Sequence, residues 1–251
     1  MARKWNRNEL ILAFSLYCKI PFGKLHKGNP QIIQLSQVID RTPSSVALKL
    51  VNFSSLDSEL KKREIKGMSN CSKLDKAIFN EFQENWEQLF VESELIYEIY
   101  NESDISFEQE DIKIMENTEK IVKVKQRINQ NFFRQMVLAN YDTTCAVCSL
   151  NYSSLLIASH IIPWSKNRKE RLNPHNGLCL CSIHDKAFDL GLITFDNNLR
   201  LIISKEIVRL NPQPFDCYFG NFANKTINIP QKFYPSLDFI KYHRQYIFKG
   251  Q

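Results

Sequence analysis

Glycine and proline are scarce in this chain, 7 and 9 of 251 residues, and no stretch reads as a glycine-rich phosphate cradle, an internal repeat or a low-complexity tract. No run of about eighteen apolar residues occurs, which argues against a membrane-spanning helix. Met1 to Trp5 lead directly into a polar helix without the apolar core of a signal peptide, so a cytoplasmic location and no membrane partner are expected. The cysteines number seven. An odd set, unevenly spread with four between 145 and 181, does not make a disulfide framework and points to free thiols and metal ligation.

What is present is enough apolar material for a core. With 43% hydrophobic residues the chain is expected to form one to two globular domains. Its formal net charge of +6 favours a polyanionic partner. The charge is segregated: bases gather at Lys120 to Arg134 and Lys166 to Arg171, while Glu92 to Glu119 is rich in acids.

The N-terminal part reads as helical. Leu10, Ala13, Phe14 and Tyr17 share helical spacing, with Asn6 or Asn8 as a cap; Ile32, Ile33, Leu35 and Val38 mark a second helix over 31–40. After the turn Arg41-Thr42-Pro43, Ser44-Ser45 can cap a third helix through Phe53. This helix, short turn, helix unit is of the kind that places a recognition helix in a major groove, with Arg41, Ser44, Ser45 and Lys49 as candidate contacts. A small three-helix bundle needs the same signals. A basic loop at 61–67 precedes a helix capped by Ser72 and running to about Tyr100. The polar, acidic stretch 101–116 is the expected linker, giving domains 1–110 and 111–251. Residues 120–140 are expected to be helical, with Lys123, Arg127 and Arg134 facing outward toward phosphate or solvent.

Chemistry concentrates between Cys145 and Asp189. Cys145-Ala146-Val147-Cys148 is a C-x2-C knuckle, and Cys181 with His184 repeats the spacing as C-x2-H, which suits a tetrahedral structural zinc. Between the halves stand His160, at the end of an apolar strand-like run, and Asn176, in a turn-rich segment. Asp185 is a hard oxygen ligand suited to magnesium or manganese. The opposite distribution, with His184 on a second cation and Cys179 in the zinc site, is also open.

The Ser159-His160-Ile161-Ile162-Pro163-Trp164 strand, the Asn176-Gly177-Leu178 turn and the helix His184-Asp185-Lys186-Ala187-Phe188-Asp189 resemble the HNH endonuclease family, most closely its restriction-endonuclease branch. The resemblance covers roughly 127–248, with a core motif at 142–196. It implies an α+β protein in which a helical, helix-turn-helix-like domain precedes a ββα-metal nuclease domain with a zinc knuckle. It also implies roles: His160 as general base, Asn176 as orienter of the base or the metal, and His184 or Asp185 on the catalytic cation. Many relatives carry an acidic residue or histidine before the base, where this chain has Ser159.

The expected function is therefore magnesium- or manganese-dependent hydrolysis of double-stranded DNA, in restriction of foreign DNA, with structural zinc. Lys166, Arg168 and Arg171 join the expected phosphate contacts. A homodimer is expected from the need of a single-site nuclease to cut two strands. The alternatives are a zinc-stabilised nucleic-acid-binding protein without cleavage, and a nuclease acting on RNA or structured DNA. Downstream, a hairpin is expected around Asp196-Asn197-Asn198 and a terminal helix over 236–248, with His243 and Arg244 as charged groups that spacing alone does not place.

Overall fold

The computed structural model describes residues 3–57, 71–102, 131–209 and 211–250. The basic loop 61–67, the expected linker and domain boundary, Lys123 and Arg127 lie outside the described residues. By Cα proximity the chain divides into two compact units, Met1–Phe132 and Phe133–Gln251.

In the first unit, helix α1 (Arg7–Lys19) is the hub, packing against α2 (Pro30–Val38), α3 (Pro43–Ser54), α4 (Lys73–Phe82) and α5 (Trp86–Glu102). That encirclement explains why α1 is buried on most sides rather than along one stripe. Asn6 starts it through a reciprocal capping box with Glu9. Phe14 is the centre of the core: its ring lies 4.9 Å from that of Phe53 and 5.4 Å from that of Phe79. Two sequence expectations shift here. The cap of α3 is Thr42, with Pro43 in the first turn, rather than Ser44 or Ser45. The long helix from Ser72 is two, broken at 83–85, so that both α4 and α5 can pack against α1.

The positive groups of the helix-turn-helix are used inside this unit. Glu9, almost fully buried, accepts from Arg3 at 2.6 Å and from Arg41 at 2.7 Å. Lys49 reaches the buried Asp75 carboxylate at 2.9 Å. The Trp5 ring lies beneath both cations, 4.2 Å from the Arg41 guanidinium and 5.1 Å from the Lys49 ammonium. A buried charge is costly unless paired, so these groups fix one another. Arg41 and Lys49 therefore do not stand free to contact DNA as expected, and the exposed side of α3 is left with Ser44 and Leu48.

The second unit is built on a ββα core. Strand β1 (Leu156–His160) pairs antiparallel with β2 (Gly177–Cys181), Leu156 opposite Cys181 and His160 opposite Gly177. Strand alternation puts Ala158 and His160 on one face with Gly177 and Cys179, and Ser159 on the other with Leu178 and Leu180. Helical residues 131–140 (α6) bring Phe133 and Val137 to the first face. Helix α7 (Ser182–Asp189) follows β2 directly and packs back on the hairpin, bringing Asp185 beside Ser159.

A second hairpin, β3 (Ile193–Phe195) with β4 (Leu201–Ile203), forms around the expected Asp196 turn. A short helix, α8 (Pro212–Tyr218), follows it, and α9 (Leu237–Tyr246) is capped by Ser236. His243 and Arg244 are tertiary ties rather than members of the site. His243 stacks on Phe188 at 3.7 Å and sits within hydrogen-bonding distance of Thr194 and the Phe188 carbonyl; Arg244 donates to the Phe195 carbonyl and Asn197. The tail closes over Gly191, where φ is +71° and an added Cβ would lie 2.0 Å from the Ile247 carbonyl oxygen. Among the described residues no helix is long and apolar enough to cross a membrane.

Candidate active site

The zinc knuckle is assembled from three places in the second unit. Cys145 and Cys148 come from the turn after α6, Cys181 from the end of β2, and His184 from the first turn of α7. Their four ligand atoms all lie within 4.8 Å of one another. The Cys148 and Cys181 sulfurs are 3.9 Å apart, and His184 Nδ1 is 3.1 Å from the Cys181 sulfur and 3.7 Å from that of Cys145. Zinc–sulfur bonds near 2.3 Å in a tetrahedron give sulfur–sulfur edges of about 3.8 Å, so the set is sized for the ion.

The surroundings favour a metal as well. His184 Nε2 donates to the Tyr218 carbonyl at 2.8 Å, which leaves Nδ1 as the lone-pair nitrogen facing the sulfurs. Phe219 and Phe222 meet the ring edge-on. The Cys181 backbone N–H points at the Cys145 sulfur, and Asn228 ties the knuckle by donating to the Cys145 carbonyl and Ser149 hydroxyl. Four such groups this close share protons. Cys181 is held far down as a thiolate by hydrogen bonds from Cys145 and Cys148. Burial disfavours charged His184, but hydrogen bonds to Cys145 and Cys181 outweigh it and raise the imidazole to about 10. Cys145, Cys148, Cys181 and His184 would hold a divalent cation in place of those shared protons.

This geometry bears on the two open assignments. His184 belongs to the sulfur cluster, and with one nitrogen on the sulfurs and the other on Tyr218 it has none for a second cation. Cys179 is buried in the middle of β2, opposite Ala158, outside the cluster, and burial pushes its thiol up to about 12.

His160 ends β1. Its ring stacks on Phe133 with centroids 3.8 Å apart, and its Nε2 lies 2.9 Å from the Arg171 carbonyl oxygen. A carbonyl only accepts, so Nε2 carries the proton and Nδ1 the lone pair, as a general base requires. Burial lowers its basicity below the ordinary 6.5, which keeps the ring neutral at pH 7. The Asn176 amide is engaged at both of its polar atoms by the backbone. Its Oδ1 accepts from Ile162 N at 2.8 Å, and its Nδ2 donates to the carbonyls of Ile162 and Glu170. It joins the two ends of the loop that follows His160.

On the opposite face of β1, one residue earlier, the buried Ser159 hydroxyl has no hydrogen bond of standard geometry. It nevertheless stabilises the neighbouring Asp185 carboxylate, which burial and the nearby Asp189 charge push upward. A buried hydroxyl beside the Asp185 carboxylate, itself under the charge of Asp189, is a place where a hard cation would relieve desolvation and like charge together. Sequence reasoning did not place Asp189, Phe133, Trp164 or the Tyr218 carbonyl in the site. Only the spacing of Asp185 and Asp189, one helical turn apart, carried a signal.

Gly177 serves close approach and not a turn. Its backbone is extended, and an added Cβ would lie 2.4 Å from Val137 Cγ2 and 3.0 Å from Phe133 Cζ. Gly177→Ala is expected to cost about 1–3 kcal/mol by overpacking and to displace Phe133 from His160; thermal unfolding measures the first.

Of the expected phosphate contacts, Arg134 is spent on the carbonyls of Leu156 and Ser153. Lys166 and Arg168 are exposed on the loop after β1, whereas Arg171 folds back on Trp164.

Residues 145–196 match the family model described as HNH endonuclease. A search of curated proteins finds no match. The knuckle, the ββα core and His160 all lie inside the matched stretch, which is similar to HNH endonucleases.

Proposed function

We propose that the protein is a magnesium- or manganese-dependent endonuclease that hydrolyses phosphodiester bonds of double-stranded DNA in restriction of foreign DNA. The observation that carries this reading is the 2.9 Å approach of His160 Nε2 to the Arg171 carbonyl, an acceptor that assigns the lone pair to Nδ1, on a residue adjacent in sequence to Ser159, which lies beside Asp185. His160 Nδ1 takes a proton from the attacking water. Asp185 would hold the divalent cation, with Asp189 and the Ser159 hydroxyl beside it. When bound, that cation stabilises charge on the scissile phosphate and on the leaving oxygen. Lys166 and Arg168 face the DNA backbone, the zinc knuckle is structural, and the first unit selects the target through α3, with the exposed Ser44 and the half-buried Ser45. Two copies act together on the two strands.

The test is cleavage of methylated and unmethylated plasmid with magnesium, manganese or chelator. His160→Ala is expected to lower the rate about 10²–10⁴-fold without changing zinc content. Because His160 is depressed below 6.5, the wild-type rate holds as pH falls to 6.5 and drops only as pH passes through the lower value. Equal rates for wild type and His160→Ala would end the assignment. One observation supports a second reading: Ser159 stands where an anionic ligand would tighten the cation site. A zinc-stabilised binding protein would shift the plasmid on a gel in chelator and leave it intact in every metal.

A further inference from the structure

We infer that Arg171 is a positioning residue for His160: its side chain locks the neck of the loop after β1, so that its own carbonyl meets Nε2 and fixes the proton there. This rests on the reading of His160 as the base and gives a role to a residue the sequence offered only as a phosphate contact.

Three contacts carry it. The Arg171 Nε–H donates to the Trp164 carbonyl at 2.9 Å, its guanidinium lies 4.8 Å from the centre of the Trp164 ring, and its carbonyl accepts from His160 at 2.9 Å. Trp164 in turn meets the His160 ring edge-on, with centroids 5.4 Å apart. These groups form a closed circuit: His160 to the Arg171 carbonyl, Arg171 to Trp164, Trp164 back to His160. Asn176 holds the loop at Ile162 and Glu170, but it makes no hydrogen bond to Arg171. The acceptor that sets the base is thus aimed by the Arg171 side chain. A guanidinium suits this role because it is planar, stacks on an indole face and donates sideways from Nε, none of which a lysine ammonium reproduces.

The experiment uses the full chain loaded with zinc, without DNA or a second metal, and follows the His160 Nε2 proton by nitrogen-edited NMR. In wild type that proton is hydrogen-bonded and visible. Arg171→Lys and the milder Arg171→Gln are both expected to lose it to solvent exchange, whereas Trp164→Phe, which keeps the carbonyl and a ring face, retains it. In parallel, both Arg171 variants are expected to cleave about tenfold more slowly, with DNA affinity and its salt dependence unchanged. A phosphate contact predicts the reverse: Arg171→Lys close to wild type, and Arg171→Gln with weaker binding and a shallower salt slope. That pattern, or a Nε2 proton that survives in both Arg171 variants, overturns the inference. A wild-type protein that cleaves nothing would sink the nuclease reading, and the resonance would still decide whether Arg171 holds His160.

Discussion

Removing zinc with a strong chelator, or replacing Cys181 by Ala, is expected to unfold the second unit and leave the first with its own melting transition. The knuckle joins the turn after α6, the end of β2 and the start of α7, and through the Tyr218 carbonyl it also holds the end of α8. Binding of a structural zinc is worth about 10–16 kcal/mol in small motifs, as much as the whole stability of an ordinary domain, about 5–15 kcal/mol. Without the ion, His184 stays protonated among its sulfurs and the cluster keeps only shared protons. Calorimetry beside metal analysis checks this: one of two transitions should vanish with the zinc and return when it is restored. A second unit that melts at an unchanged temperature without metal would mean that its apolar core suffices.

Asp185→Ala is expected to lower cleavage at least about a thousandfold while zinc content and melting temperature stay at wild-type values. The carboxylate is half-buried on the flank of α7, so its loss removes charge without opening a core cavity. A cation that neutralises a scissile phosphate contributes several kcal/mol to the transition state, and each 1.36 kcal/mol is about a factor of ten in rate. Part of the loss should return at high manganese, because Asp189 and the Ser159 hydroxyl remain. His160→Ala should show no such recovery, since added metal does not replace a proton acceptor. An Asp185→Ala rate within about threefold of wild type would remove that residue from the cation site.

The knuckle was legible in the sequence because zinc chemistry restricts both ligand type and spacing, and a C-x2-C followed by C-x2-H leaves few arrangements. What spacing left open was which partner His184 serves, and that is decided by the occupation of both of its nitrogens. Arg41, Lys49, Arg134 and Arg171 show the opposite case. All four are cations in suggestive places, and each has a partner inside its own unit. A cation on a helix or loop has the same sequence signature whether it faces phosphate or an acceptor brought in from a distant part of the chain.

The sequence by itself determined the order of the groups: thiol pair, strand imidazole, loop asparagine, thiol and imidazole, carboxylate. It also determined the helical periodicity of the first unit and the hairpin around Asp196, because these depend on neighbours within a turn or two. Tertiary structure alone decided that Gly177 is needed for the approach of α6, that Asn176 clasps a loop, and that His160 Nε2 meets the Arg171 carbonyl. Each of these follows from a contact between segments distant along the chain, where a hydrogen-bond acceptor or a missing methyl group is set by packing and leaves no periodic trace in the residues themselves.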